Sequence, residues 1–496
     1  MNTKSLKING IISLLNKCIS IVCSLILPRL FITAYGSEVN GLMSSITQYL
    51  TLISLLDMGM GTVIQAAMYK PLLDQDYGKL STIYYKSQQF FNKIGLFLIV
   101  YVGALCLFLP QVLSSHFSQQ QIMSLIAILS LSHLLQFFVG ITSQIILGSD
   151  QKAYIKEILQ GLTNIANLLL SMFLIKQGQT VFLVKFVSAL VFIIPPISIS
   201  YYVHKHYHIS KQGIDKNFKI KQQWYGIGQH IAYTVQESTD IVILSMFSNL
   251  NSVSVYAIYN TVFQGIKTFL NAATSGLRPF LGRALHLDDH QLLFRQFRKL
   301  EWLLHTGSTI VLATTFQLVT PFILLYTDKV TDANYNQPLF GYIMTISLLL
   351  YAIRLPYRTL VFASGEFKKT QFGTYTEAIL NLAISLILVG PLNIVGVAIG
   401  TAVSQTFSLA YYIWYTYRFI ITGQPVSISK QLLMDAAIFT LSNLLLLPFT
   451  GSIGSIVGWI VFGSISILVT TIISLIINYA FSQKELFDFL KRKLPA

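Results

Sequence analysis

Residues 456–477 read IVGWIVFGSISILVTTIISLII, an unbroken run without one charged side chain. At a helical rise of about 1.5 Å per residue, a run of this length matches the roughly 30 Å hydrocarbon core of a bilayer. Apolar runs of similar length recur along the whole chain. Working outward from this one, length and flanking polarity predict about fourteen spanning helices. They lie near 11–34, 41–67, 92–110, 121–147, 153–175, 180–203, 223–247, 253–280, 301–325, 339–362, 372–390, 395–417, 431–449 and 455–478. The expected fold class is an all-α polytopic membrane protein.

Composition excludes a soluble alternative. Of 496 residues, 53% are hydrophobic and 11% charged, with a mean hydropathy of +0.62. A soluble domain carries roughly 25% charged residues, so this chain cannot coat a water-facing surface of its length. A net charge of +15 invites a nucleic-acid reading, but the placement of the cations argues against one. They gather in every second connection, as the positive-inside rule requires. One set holds Lys70, Lys79 and Lys86, then Lys205, Lys211, Lys216, Lys219 and Lys221. It continues through Arg283, Arg295, Arg298 and Lys299, then Lys368 and Lys369, to Lys484, Lys491, Arg492 and Lys493. The opposite set is nearly bare: 111–120 and 248–252 carry no lysine or arginine, and 326–338 carries only Lys329. Both termini are therefore expected in the cytoplasm. Single cysteines at 115 and 250, in a cysteine-free background, should react with an impermeant maleimide in intact cells, while one at 213 should not. Labelling at 213 alone would reverse the orientation.

Cys18, Cys23 and Cys106 sit in apolar segments without metal-ligand spacing, and read as small packing residues. No metal site or cofactor is expected; the alternating His204, His206 and His208 read as solvated interface residues. The first apolar segment lacks a small-residue cleavage site and reads as an uncleaved anchor. The outer loops are short, leaving no room for the extracytoplasmic acceptor site of a membrane glycan polymerase. No enzyme activity is expected.

The chain repeats itself. A shift of 217 residues brings Gly148 onto Gly365, Gln160 onto Glu377 and Asn164 onto Asn381, and a shift of 215 brings Gly61 onto Gly276. The expected domains are a six-helix lobe at 1–203, a basic cytoplasmic linker at 204–222, a second six-helix lobe at 223–418, and two further helices with a basic tail at 419–496. Parallel lobes of this kind frame a central path in transporters.

Intramembrane polar residues mark candidates for that path, because a charge at a helix centre costs about 2.5–3.5 kcal/mol. Asp57 lies in the second segment. Lys267 lies in the eighth, with Gln264 and Asn271 at helical spacing. The seventh carries Gln222, Gln229 and Gln236 at heptad spacing, with Glu237 and Asp240 on the adjoining stripe. Glu377, Asn381 and Ser385 repeat the pattern in the eleventh. The alternative for these charges is mutual pairing that locks helices. Lys17 and Arg29 in the first segment fit a cavity or an interface equally well. Arg354 and Arg358 flank Pro356, where they could bind phosphate or cap a proline break.

Four stretches carry a family resemblance. Leu55–Asp76 (LLDMGMGTVIQAAMYKPLLDQD), Gly148–Asn167 (GSDQKAYIKEILQGLTNIAN), Gln236–Phe247 (QESTDIVILSMF) and Arg354–Leu388, with RLPYRTLVFASGEFKK and YTEAILNLAISLIL, resemble bacterial Wzx-type polysaccharide flippases. These belong to the polysaccharide transport group of the multidrug/oligosaccharidyl-lipid/polysaccharide exporter superfamily. The resemblance implies an inner-membrane exporter with a central cavity and alternating access. Its implied substrate is an undecaprenyl-diphosphate-linked oligosaccharide destined for capsule, exopolysaccharide or O-antigen. Lys267, Arg354 and Arg358, with Lys17 and Arg29, then become candidates for the diphosphate, and Gln229, Gln236, Gln264 and Asn271 for sugar. Asp57, Glu237, Asp240 and Glu377 become candidates for coupling to protons or another ion. Membrane lipids, and polymerase or assembly proteins, are the implied partners of a monomeric transporter. Two relatives of that superfamily compete with this reading: a lipid II flippase, and a drug or cation antiporter, against which Lys267 counts.

Overall fold

The computed structural model describes residues 3–57, 59–113, 116–211, 214–215, 218, 227–275, 281–282, 285, 290–421 and 428–481. Among them the chain is all helix and turn, as lipid demands: with no water to satisfy backbone N–H and C=O groups, only local ladders or a closed barrel can cross. Among the described residues, ten helical segments are long and apolar enough to span a membrane. One of them, α13 (Phe367–Tyr415), is two helices in series, broken at Asn393 with φ of 50° just after Pro391. Dividing it there, and adding the helical stretches at 37–73, Ile227–Phe247 and Leu250–Ser275, accounts for the fourteen crossings read from hydropathy. The chain is a multi-pass membrane protein.

Two compact units, Met1–Ser254 and Val255–Ala496, divide the contacts. In the first, α1 (Thr3–Tyr35) packs along α7 (Ala153–Lys176). Their seam is polar: Asn16 Nδ2 donates to Glu157 Oε2 at 2.6 Å and Asn164 Nδ2 to Ser20 Oγ at 3.0 Å. Gly36, at φ 87°, ends α1 and starts α2 (Ser37–Thr51) in one residue, a backbone conformation that favours glycine.

The second segment is not the single helix expected at 41–67. α2 gives way to a 3-10 turn at Leu52–Asp57, and a left-handed Gly59 (φ 68°) precedes α3 (Met60–Leu73). Apolar continuity hid the break, which the glycine in LLDMGMG permits. α4 (Tyr77–Val112) is N-capped by Asp76, whose carboxylate accepts from Lys79 N–H at 2.9 Å. That hydrogen bond, with the Lys79 ammonium beside it, holds the Asp76 carboxyl below its usual range. At 36 residues, about 54 Å by helical rise, α4 extends well past the hydrocarbon. α5 (Gln119–Leu135) opens with a Ser118–Gln121 capping box and passes through a π turn at Gln136–Gly140 into α6 (Ile141–Ser149). α8 (Val181–His206) packs on α5, α6 and α7. α9 (Ile227–Phe247) lies on α2 and the 3-10 turn within this unit.

α10 (Leu250–Ser275) begins in the first unit: Asn40 Nδ2 donates to Ser254 Oγ at 2.9 Å, and Gly41 leaves room for the Leu250 carbonyl. In the second unit, α11 (His290–Tyr326) is the organiser, carrying α12 (Pro338–Ala363) and both of the last two helices, α14 (Ile428–Leu446) and α15 (Ile456–Ala480). α12 packs on α13. Few apolar residues join α14 to α15 (Met434, Ile438 and Ile477 are the buried ones), whereas polar bonds tie both to α11. Trp302 Nε1 donates to Asn478 Oδ1 at 2.7 Å, Ser466 Oγ to Gln317 Oε1 at 2.7 Å, and Trp459 Nε1 to the Leu318 carbonyl at 3.1 Å. In hydrocarbon the hydrophobic effect gives no preference for protein over lipid, so such bonds and close packing decide which helices associate.

Candidate functional site

Gln264, Lys267 and Asn271 recur at i, i+3 and i+7 along α10, which sets them on one face. The structure brings that face to Tyr351 of α12. The Lys267 ammonium sits 4.8 Å from the Tyr351 ring centre, and Tyr351 OH donates to Asn271 Oδ1 at 2.7 Å. Arg354, one turn along α12, lies 5.2 Å from the same ring and 5.8 Å from that of Tyr412. Tyr351 is thus flanked by two cations, which its ring quadrupole attracts.

The two cations differ in what holds them. Arg354 is 3% exposed, and its guanidinium donates to Glu377 Oε1 at 2.6 Å and to Ser408 Oγ. Glu377 accepts in addition from Ser408 Oγ at 2.6 Å and Gln405 Nε2 at 3.3 Å. This is a buried, multiply bonded ion pair on α12 and α13. Lys267 is half-buried, with its ammonium against the Tyr351 ring. Asn381, fully buried, donates to Thr401 Oγ1 at 3.1 Å, and Ser385 is buried beside it, so the polar stripe of α13 faces its own second half. Arg358 is half-buried with its guanidinium 4.9 Å from the Phe362 ring. Pro356 is accommodated inside α12, which runs through without interruption.

In the first unit, Asp240 is 7% exposed while Gln236 and Glu237 are half-buried, and the Glu237 carbonyl lies 3.5 Å from Gln48 Nε2 of α2. Tyr49 OH and Ser245 Oγ, 3.2 Å apart, tie the same two helices. Lys17 is half-buried on α1 and Arg29 is exposed on it. The side chains of Asp57 and Gln229, and all of Gln222, lie outside the described residues. His204 and His206 each bond a carbonyl of their own helix, those of Ser200 and Tyr202, at 2.9 Å. Among the described residues no group of three His, Cys, Asp or Glu could hold a metal ion.

No protein-family model matches the chain, and no curated protein matches it. Solved structures do. The lipid II flippase MurJ, in an inward closed conformation, superposes with a TM-score of 0.71 at 15% identity, covering 97% of this chain and 100% of that one. An inward-facing multidrug resistance MATE family transporter of the MOP superfamily gives 0.70 at 14% identity, over 82% of this chain and 98% of its own. A MATE in complex with MaL6 gives 0.60 at 13% identity. The chain shares the fold of these structures. Of the sequence candidates, the structure brings Lys267, Asn271, Arg354 and Glu377 together around Tyr351, which sequence reasoning did not single out. A tyrosine three residues before an intramembrane arginine was the available signal. It also missed Glu301, His305 and Asp435, all buried on α11 and α14.

Proposed function

We propose that the chain is a flippase that moves an undecaprenyl-diphosphate-linked oligosaccharide from the cytoplasmic to the outer leaflet of a bacterial inner membrane by alternating access, without covalent chemistry. Lys267 carries this reading. A half-buried ammonium on an aromatic platform, beside Gln264 and Asn271, suits a diphosphate with a sugar attached. A site for organic cations needs the opposite charge. Arg358 is a second contact for the diphosphate, while Arg354 holds Tyr351 in place. In the first unit Gln229 and Gln236 are candidates for sugar and Lys17 and Arg29 further cationic candidates, and Asp57, Glu237, Asp240 and Glu377 remain the coupling candidates. The four sequence stretches quoted above support a polysaccharide repeat unit as the cargo.

One observation favours a second reading. The fold match to a lipid II flippase runs over nearly the whole chain, beyond the share matched by the MATE transporters. Both cargoes present the same diphosphate and polyprenyl tail. Proteoliposomes loaded in turn with a fluorescent lipid-linked repeat unit, lipid II and a cationic dye separate the readings. Movement of the repeat unit well above that of lipid II is the expected result. Movement of the dye alone would overturn the flippase.

A further inference from the structure

The second unit contains a chain of titratable groups that the proposed transport path does not use. Glu301 and His305 lie one turn apart on α11 and are fully buried, as is Tyr357 of α12, while Asp435 of α14 is 2% exposed. They connect in series. Tyr357 OH donates to Glu301 Oε1 at 2.6 Å, Tyr357 OH and His305 Nε2 are 3.3 Å apart, and His305 Nδ1 meets Asp435 Oδ2 at 2.6 Å. The outer ends are closed. Glu301 takes Arg298 on its other oxygen and Tyr417 OH, from the π turn at Thr416–Ile420, at 3.1 Å. Asp435 Oδ1 accepts from Gln431 Nε2 at 3.1 Å. On α15 the facing polar group is Asn478, held by Trp302.

The number of protons follows from the bonds. Three contacts in series between four groups need three hydrogens. Two carboxylates contribute none, the phenol contributes one, and a neutral imidazole contributes one. One of the three contacts then lacks a hydrogen, and a third proton would complete the series. The donors around it say where it rests. Glu301 accepts from Arg298, Tyr357 and Tyr417, as an ionised carboxylate does, so the single Tyr357 hydrogen points at Glu301. The phenol oxygen can then only accept, which puts a hydrogen on His305 Nε2, while Asp435 accepts the one on Nδ1. Charge balance agrees. Among the described residues, Arg298, itself partly exposed, faces two buried carboxylates without the extra proton; with it, two cations meet two anions. An unbalanced buried charge is costly.

We propose that the Asp435–His305–Tyr357–Glu301 chain is a binding site for one exchangeable proton, set where α11, α12 and α14 meet. Loss of that proton removes the Nε2 hydrogen and leaves a net negative charge in the seam. It also weakens the tie between α14 and α11. Proton occupancy thus sets how firmly α14 is held on α11. In a transporter that moves by rearranging helices, such a site links proton binding to conformation.

The test reads the proton itself, so it stands or falls independently of what the chain transports. The intact protein, labelled with imidazole-15N histidine in lipid nanodiscs, is examined by nitrogen NMR at pH 7.5. An ordinary histidine is mostly neutral at that pH, so an imidazolium with both nitrogens protonated stands apart. The wild type should show one such signal, absent from His305→Gln. Asp435→Asn removes the carboxylate that balances the imidazolium, and should convert the same signal to neutral imidazole. That conversion identifies His305 even where His305→Gln does not fold. A wild type with no imidazolium at this pH, or one whose imidazolium is indifferent to both substitutions, overturns the site.

Discussion

Arg354→Met should destabilise the protein by about 3–5 kcal/mol, since it removes the cation paired with the buried Glu377 carboxylate. The partner substitution Glu377→Met should be similarly costly, stranding a guanidinium among Tyr351, Tyr412 and Ser408. Changing both together should recover most of the loss, because a buried pair replaced by packed apolar groups is often neutral. Thermal unfolding in nanodiscs, read as a double-mutant cycle, gives the coupling directly. Additive losses in the double variant would mean that the pair does not form. A melting temperature unchanged in Arg354→Met would place that side chain in water.

Lys267→Ala should behave in the opposite way, with near-normal abundance and melting but loss of flipping. A charge-assisted contact to phosphate is worth about 1.5–3 kcal/mol, or roughly a tenfold to hundredfold loss in transport at limiting substrate. Lys267→Arg should retain part of the activity, because the ammonium acts as a point charge and the guanidinium can also stack on Tyr351. Proteoliposome flipping of a lipid-linked oligosaccharide measures both. Normal transport by Lys267→Ala would remove the residue from the site. A misfolded Lys267→Ala with a folded Lys267→Arg would make the lysine a structural partner instead.

The crossings were legible in the sequence because lipid selects for one property, unbroken apolar length, that hydropathy reads directly. The boundary between the two halves of α13 was legible too, since Pro391 and Asn393 interrupt an otherwise even run. The break at Gly59 was not, because the residues on either side are as apolar as those of a continuous helix. Site residues divide along the same line. Lys267 stands out alone in an apolar stretch, and its neighbours follow from helical spacing. Glu301, His305 and Asp435 lie near segment ends, close to basic loops, where polar residues are ordinary. What makes them unusual is pairing across 130 residues of chain, which leaves no periodic trace in either helix. Tyr351 is hidden for a simpler reason, since an aromatic in a membrane helix reads as packing.

The polar seam along α11 sets an order of assembly. His305 meets Asp435 across 130 residues, Ser466 meets Gln317 across 149, and Trp302 meets Asn478 across 176. At about 5–20 residues per second, a ribosome needs roughly 5–30 s to supply those partners after α11 has been made. During that interval an imidazole, a glutamine amide and an indole N–H must be sheltered by the insertion machinery, by its water, or by helices already in place. The second unit therefore closes late: the pair α14–α15, made well after α11, completes the helix around which that unit is built.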